Sequence, residues 1–236
     1  MDPLQQLKSQ IPAIEKKLGI YMAEPHLLTL AFIHPSFVNE NKHLVNEDNQ
    51  RLEFLGDAVL NLIVADWLYK RFPDRSEGEL SELRSILVDA KACTRYLSQL
   101  KISDYFLLSR GEQLQVERGL KSIMADALEA IIGALYLDGG VEKARSFLIT
   151  QFESSMVDLV TNPPRNWKAE LQDYCQRNFN TTPKYTVVKE EGPDHNKIFC
   201  VQVKTTDKIQ AMGTGPSKKI AQQEAARGAM EKIEHG

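Results

Sequence analysis

Two pairs of carboxylates lie in the most apolar stretches of the chain. Glu53 and Asp57 are four residues apart, and Asp126 and Glu129 are three apart. On a helix, either spacing places both acids on one face. Carboxylates in an apolar setting repel each other and are costly to desolvate, unless a basic side chain, a shared proton or a cation neutralises them. Oxygen donors without His or Cys favour a hard divalent cation such as Mg²⁺ or Mn²⁺.

Both pairs require long helices to hold them. Residues 51–69 and 122–137 contain no proline and are apolar on most sides, which predicts two buried helices. Small residues such as Ala125 and Gly133 allow a second helix to approach the 122–137 segment closely. If the two helices cross at their acids, all four carboxylates meet in one cluster.

Two other interpretations of the acids remain open at this point. A single acid pair on a helix is usually a salt-bridge partner or an interhelical cap, although two pairs on apolar helices favour a metal site. A carboxylate-bridged di-iron bundle needs Glu-x-x-His pairs. The Asp126-x-x-Glu129 pair has no His, and none of the five histidines lies near either pair in the sequence.

The other segments before about residue 180 also predict helices and no strands. Amphipathic helices are expected over residues 4–19 and 79–98. Ser76 and Glu79 are spaced to form a capping box at the start of the second of these helices. The first part of the chain should therefore be all-α.

Composition places the chain among soluble globular proteins. Its 236 residues are 42% hydrophobic and 26% charged, with a net charge of −3. The sequence shows no signal peptide and no apolar run of membrane-spanning length. Three well-separated cysteines form no zinc-binding pattern and predict reduced thiols. We therefore expect a cytoplasmic protein that does not associate with membranes.

The pattern changes in the last third of the chain. Pro163 and Pro164 lie in a short, stiff segment with few core-forming positions after Leu159. A helix, three alternating strands and a second helix follow. We predict an all-α domain at 1–155, a linker at 156–166 and a small α+β (αβββα) domain at 167–236.

Four segments of the first domain resemble the ribonuclease III family. The most specific is Asn49-Gln50-Arg51-Leu52-Glu53-Phe54-Leu55-Gly56-Asp57-Ala58-Val59-Leu60. The others match in order and approximate spacing, and they are His34-Pro35-Ser36, Glu77-Gly78-Glu79-Leu80 and Ser122–Ala130. The resemblance covers nearly the whole chain and is closest to the bacterial enzyme, which has one nuclease domain and one double-stranded-RNA-binding domain.

The resemblance implies a metal-dependent reaction. It identifies Glu53, Asp57, Asp126 and Glu129 as the metal ligands, with Asp57 and Glu129 as the catalytic residues. It implies Mg²⁺ as the cofactor, with Mn²⁺ able to substitute, and two-metal hydrolysis of a phosphodiester. A homodimer would cut both strands of double-stranded RNA and leave 5′-phosphate and 3′-hydroxyl ends. The expected substrates are ribosomal RNA precursors and other structured RNAs.

Three further positions are assigned by resemblance. Gln50 stands where the family often has Glu, so we treat it as a tuning position of the substrate valley rather than a ligand. Glu77 corresponds to an acid at the edge of that valley, although a solvated acid at a helix start is an equal alternative. Phe54 corresponds to an aromatic residue at a two-fold dimer interface, with a core position as its alternative. His34 could line the valley as well, but we interpret it as a packed histidine before a proline turn.

The last domain resembles the double-stranded-RNA-binding domain. Its signature is Gly213-Thr214-Gly215-Pro216-Ser217-Lys218-Lys219, followed by Ala221-Gln222. Ser217 would cap the last helix and leave its N-terminal N–H groups facing phosphates. Such a domain reads the shape of A-form RNA over about 16 base pairs. The RNA contacts that the resemblance implies are Gln172, Asp173, His195, Ser217, Lys218 and Lys219.

The competing hypothesis is a non-catalytic, dimeric protein that binds double-stranded RNA. In that case the first domain would be only a dimerisation scaffold. Relatives of that kind typically lose the acids, and all four acids are present in this chain. The sequence therefore favours the endoribonuclease.

Overall fold

The computed structural model describes residues 2–114, 119–163, 165–193, 197–206 and 209–234, without the side chains of 114 and 119–122. The chain divides into two compact units, Met1–Pro163 and Pro164–Gly236. The first unit is helical, and the second has the order αβββα, so the predicted fold class is confirmed. The helices are α1 (Pro3–Leu18), α2 (Pro25–Ala31), α3 (Pro35–Glu40), α4 (Gln50–Arg71), α5 (Glu77–Leu87), α6 (Ala90–Gln99), α7 (Arg110–Leu114), α8 (Gly119–Thr161), α9 (Trp167–Phe179) and α10 (Lys218–Glu234), and the strands are β1 (Lys184–Glu191), β2 (Ile198–Lys204) and β3 (Gln210–Gly215).

Helix α8 is the central element of the first unit, and α4, α6 and α2 pack against it. It is interrupted at Gly139 and Gly140, and the positive φ of 75° at Gly140 is a conformation that favours glycine. Just before the break, the Asp138 carboxylate accepts hydrogen bonds from the backbone N–H groups of Ala23 and Glu24. These bonds fasten the connection between α1 and α2 to α8.

The sequence located the start of α5 but not its end. The capping box of Ser76 and Glu79 is present in full at the start of α5. The predicted helix over 79–98, however, is two helices, because α5 ends at Leu87 and Asp89 caps α6. The Asp89 carboxylate accepts a hydrogen bond of 2.7 Å from the N–H of Ala92.

The end of α8 lies further along the chain than the composition indicated. Leu148, Phe152 and Met156 are fully buried in the core of the first unit. They are four residues apart, which places them on one helix face. The helix continues to Thr161, whereas the sequence placed the linker at 156–166.

The second unit is a three-stranded antiparallel sheet in the order β1-β2-β3. The inward residues of the strands, including Val201, Val203 and Ala211, share a core with Ala221 and Ala225 of α10. Because these helix residues are small, α10 can lie close to the sheet. None of the helices within the described residues is long and apolar enough to cross a membrane.

Candidate metal centre and nucleic-acid interface

Helices α4 and α8 cross with their backbones in contact. A Cβ atom added to Gly56 would lie 1.7 Å from the carbonyl oxygen of Glu129. One added to Gly133 would lie 2.2 Å from the carbonyl oxygen of Leu52. Neither distance leaves room for a side chain, so both positions require glycine. The crossing holds the turn of α4 around Gly56 against the turn of α8 that carries Glu129.

We term Glu53, Asp57, Asp126 and Glu129 the acid cluster, because their charges act on one another. Burial is the main cause that raises the pKa of Glu129 to about 7, and the charges of the other three acids contribute. Burial also raises the pKa of Glu53, followed by the charges of Asp126, Asp48 and Asp57. The pKa of Asp126 is raised by burial as well.

Salt bridges do not account for these acids. No member of the acid cluster forms an ion pair with any residue that the structure describes. The exposed carboxylate of Asp57 instead accepts a hydrogen bond of 2.9 Å from the Asn61 amide. Partly buried carboxylates without a basic partner repel each other, and a bound cation would remove that cost.

The donor set of the acid cluster fits a hard divalent cation. All of its side-chain donors are carboxylate oxygens, which suit Mg²⁺ or Mn²⁺ better than soft metals. Over the described residues, no three His, Cys, Asp or Glu side chains converge closely enough to coordinate one ion as they stand.

The sequence reasoning missed two residues beside the acid cluster, Asp48 and Glu112, and favoured packing for a third, His34. Asp48 raises the pKa of Glu53, and both Asp48 and Glu112 act on His34. His34 is half-buried, and it interacts electrostatically with Asp126. The signal for His34 was its place in the His34-Pro35-Ser36 segment, but we interpreted it as packing. Nothing in the local pattern separated Asp48 or Glu112 from solvated acids.

The remaining positions assigned to the first domain are not members of the acid cluster. Gln50 and Phe54 line a surface cavity of about 740 Å³, together with Leu137. The side chain of Phe54 is 82% exposed, so it is not a core residue of this chain. Glu77 is exposed at the first position of α5, where its carboxylate accepts a hydrogen bond from the Ser81 hydroxyl.

In the second unit, the start of α10 has the features of a phosphate-binding helix end. The Ser217 hydroxyl accepts a hydrogen bond of 3.2 Å from the N–H of Ile220 and so caps the helix. Lys218 and Lys219 are exposed in its first turn. The Lys218 ammonium forms an ion pair with Glu190, at 3.2 Å from a carboxylate oxygen.

The other predicted RNA contacts have separate positions. Gln172 and Asp173 are exposed on α9, next to the buried Leu171. His195 lies outside the described residues, so its predicted role stays a prediction.

Two protein families match this chain, one in each of its two units. Residues 24–155 match the family described as "Ribonuclease-III-like". Residues 167–233 match the "Double-stranded RNA binding motif".

Several relatives match this chain over almost their whole length. Ribonuclease 3 of Protochlamydia amoebophila is 50% identical over 234 residues, which cover 99% of this chain and 96% of the relative. Ribonuclease 3 of Treponema denticola is 40% identical over 227 residues, which cover 96% and 92% respectively.

Two solved structures of the ribonuclease III nuclease domain from Campylobacter jejuni resemble the helical part. One has a TM-score of 0.55 at 38% identity, covers 60% of this chain and 94% of that domain, and concerns a region involved in dimer formation. The other has a TM-score of 0.52 at 36% identity and covers 64% of this chain and 95% of that domain.

Proposed function

The chain belongs to the ribonuclease III family, and we propose that its acid cluster holds the divalent cation with which it cuts double-stranded RNA. The activity is that of a double-strand-specific endoribonuclease. The observation that carries the metal proposal is the contact of α4 and α8 at Gly56, which places two pairs of unpaired carboxylates within electrostatic reach of one another. We assign cutting to the first unit and RNA recognition to the second.

Within the acid cluster, all four carboxylates are ligands in this proposal, and Asp57 and Glu129 are the catalytic ones. When bound, Mg²⁺ or Mn²⁺ supplies an activated water and charge stabilisation on the leaving oxygen. The contact between Gly56 and the carbonyl oxygen of Glu129 fixes the main chain from which the Glu129 side chain extends. Asp57 lies on the solvent-exposed side, where a phosphate can approach. The products carry 5′-phosphate and 3′-hydroxyl ends.

The RNA surface proposed for the second unit combines the start of α10 with α9. Ser217 leaves free backbone N–H groups at the helix end, and Lys218 and Lys219 add positive charge there. Exposed Gln172 and Asp173 offer polar groups for the 2′-hydroxyls of a minor groove. His195, in the connection between β1 and β2, completes the proposed contacts.

We propose a homodimer in which Phe54 lies at the two-fold interface. Phe54 is a large apolar side chain that projects into solvent beside a cavity, and a two-fold axis can place it in the same cavity of the partner. Two acid clusters related by that axis would cut the two strands of one duplex. Gln50 lines this cavity, and we propose that it and Glu77 border the RNA path.

The proposed substrates are ribosomal RNA precursors and other structured RNAs of the cytoplasm. A domain that reads A-form shape selects duplexes with little regard to sequence. Position-specific cutting must then come from where the duplex ends or is interrupted.

Cleavage of a perfect RNA duplex tests the metal proposal. In Mg²⁺ the intact protein should cut both strands, and Glu129→Ala should bind the duplex without cutting it. Glu142→Ala is the matched control, because Glu142 lies on the same helix and its side chain is 78% exposed. In Ca²⁺ all three proteins should bind RNA without cleavage.

Two results would overturn the proposal. Undiminished cutting by Glu129→Ala would remove the acid cluster from the reaction. Binding without cutting by the intact protein in both Mg²⁺ and Mn²⁺ would favour the non-catalytic RNA-binding protein.

A further inference from the structure

The imidazole of His34 is held in one orientation, in a segment that is bonded to the start of α4. The carbonyl oxygen of Ile33 accepts a hydrogen bond of 2.9 Å from the N–H of Asn49, whose own carbonyl oxygen accepts one of 2.9 Å from the N–H of Glu53. Its Nδ1 accepts a hydrogen bond of 3.2 Å from the backbone N–H of Ser36 and lies 2.7 Å from the Ser36 hydroxyl. That hydroxyl in turn accepts a hydrogen bond of 3.0 Å from the N–H of Ser109. The backbone N–H of His34 donates to the carbonyl oxygen of Leu107 at 3.1 Å. Backbone and ring are therefore both fixed to the 107–109 segment.

This bonding pattern assigns the tautomer of His34. A backbone N–H can only donate, so Nδ1 must be the acceptor and cannot carry a proton. The neutral ring then carries its proton on Nε2. Burial lowers the pKa of His34 and so keeps the ring neutral, although nearby carboxylates oppose the shift.

The surroundings of His34 are acidic. The charges that act on the ring are those of Glu112, Asp126 and Asp48, in that order. Asp126 belongs to the acid cluster, and its own pKa responds to His34. Packing alone does not account for a half-buried ring that keeps an N–H donor in such a place.

We infer that His34 is a further catalytic residue, whose Nε2–H donates a hydrogen bond to a phosphate oxygen of the RNA held at the acid cluster. The inference rests on the proposed function. Carboxylates repel a phosphate, so the site gains from donors that attract it. A neutral donor does this without an ion pair to the acid cluster, whereas a lysine or arginine in its place would compete with the cation.

His34 is also the N-cap of α3, because its Nδ1 accepts from the N–H of Ser36 at the start of that helix. Two amide substitutions separate the proposed role from this cap. In His34→Asn, the side-chain oxygen takes the position of Nδ1 and can still accept from the N–H of Ser36, but nothing reaches the position of Nε2. In His34→Gln, an amide N–H reaches the position of Nε2, and the acceptor for Ser36 is lost. The Asn variant therefore keeps the cap, and the Gln variant keeps the distal donor.

The measurements are kcat and KM on duplex RNA in Mg²⁺, duplex affinity in Ca²⁺, and Tm. We expect His34→Asn to keep the wild-type Tm and lose about ten- to a hundredfold in kcat, as for a lost hydrogen bond to a charged group. His34→Gln should have a lower Tm but a higher kcat than His34→Asn. Duplex affinity should change little, because the RNA-recognition surface proposed above lies in the second unit.

A wild-type kcat in His34→Asn would overturn the inference, as would a higher kcat in the Asn variant than in the Gln variant. The Glu129→Ala variant in the same assay separates the two levels of the proposal. If Glu129→Ala is inactive and His34→Asn is fully active, only the role of His34 fails. If Glu129→Ala remains active, the proposed metal centre fails.

Discussion

Substitution of Gly56 by alanine should force α4 and α8 apart. The new methyl group would start 1.7 Å from the Glu129 carbonyl oxygen and 2.9 Å from the N atom of Gly133. An ordinary contact begins at 3.4 Å, so the closest pair must separate by 1.7 Å. Both neighbours are backbone atoms of a buried helix, so no flexible side chain can move aside instead.

The cost can be placed within limits. Overpacking a core typically costs about 1–3 kcal/mol of unfolding free energy. A methyl group that meets backbone atoms should cost an amount at or above the upper end of this range. For a domain of this size, about 3 kcal/mol lowers Tm by roughly 6–12 °C. A displacement of about 1 Å at a catalytic group can reduce the rate by about a hundredfold. We therefore expect Gly56→Ala to lose both stability and cleavage.

Gly78→Ala is the matched control, since a Cβ atom at Gly78 meets no other atom within 4 Å. Gly78 lies in the first turn of α5, where alanine is the better helix former. The Gly78→Ala protein should have the wild-type Tm in thermal unfolding and the wild-type kcat for duplex cleavage in Mg²⁺. A Gly56→Ala protein with unchanged Tm and kcat would refute the backbone contact on which the acid cluster is built.

Three further predictions follow from charge and exposure. Because the pKa of Glu129 is raised to about 7 in the fold, the folded protein binds more protons than the unfolded chain between the ordinary value and 7. Ionisation of Glu129 therefore lowers the Tm of the metal-free protein as pH rises through that window. In calorimetry, Glu129→Gln should weaken this dependence of Tm on pH. The same pH profile of Tm in both proteins would contradict the prediction. Glu190→Gln should release Lys218 and strengthen duplex binding severalfold at low salt, while Glu224→Gln, which only loses a pair within α10, should not, as measured by fluorescence anisotropy. Phe54→Ala should shift the protein towards monomer in sedimentation experiments, and an unchanged assembly would remove Phe54 from the proposed interface.

Much of the architecture depends on local patterns that the sequence displays directly. The spacing of Asp126 and Glu129 places them on one face of any helix. The capping box of Ser76 and Glu79 marks a helix start, because its two hydrogen bonds join residues three apart. Alternating strands between two helices likewise predict the αβββα unit. None of these inferences depends on which other elements the helices and strands pack against.

The sequence was less informative where a weak local signal competed with packing. The break between α5 and α6 depends on a single cap by Asp89 within an otherwise helical pattern. Met156 lies in a stretch that resembles a linker in composition, yet it is fully buried because α8 carries it onto the core. Burial of one side chain depends on the whole surface that faces it.

The catalytic surroundings required the tertiary structure. The sequence determined which acids share a face and that small residues allow a close approach between helices. It did not determine that Gly56 meets the carbonyl of Glu129, nor that His34 and Asp48, from segments before α4, lie beside the same carboxylates. Spacing along one helix is set by the backbone of that helix, whereas the approach of two distant segments is set by how all the apolar faces pack together.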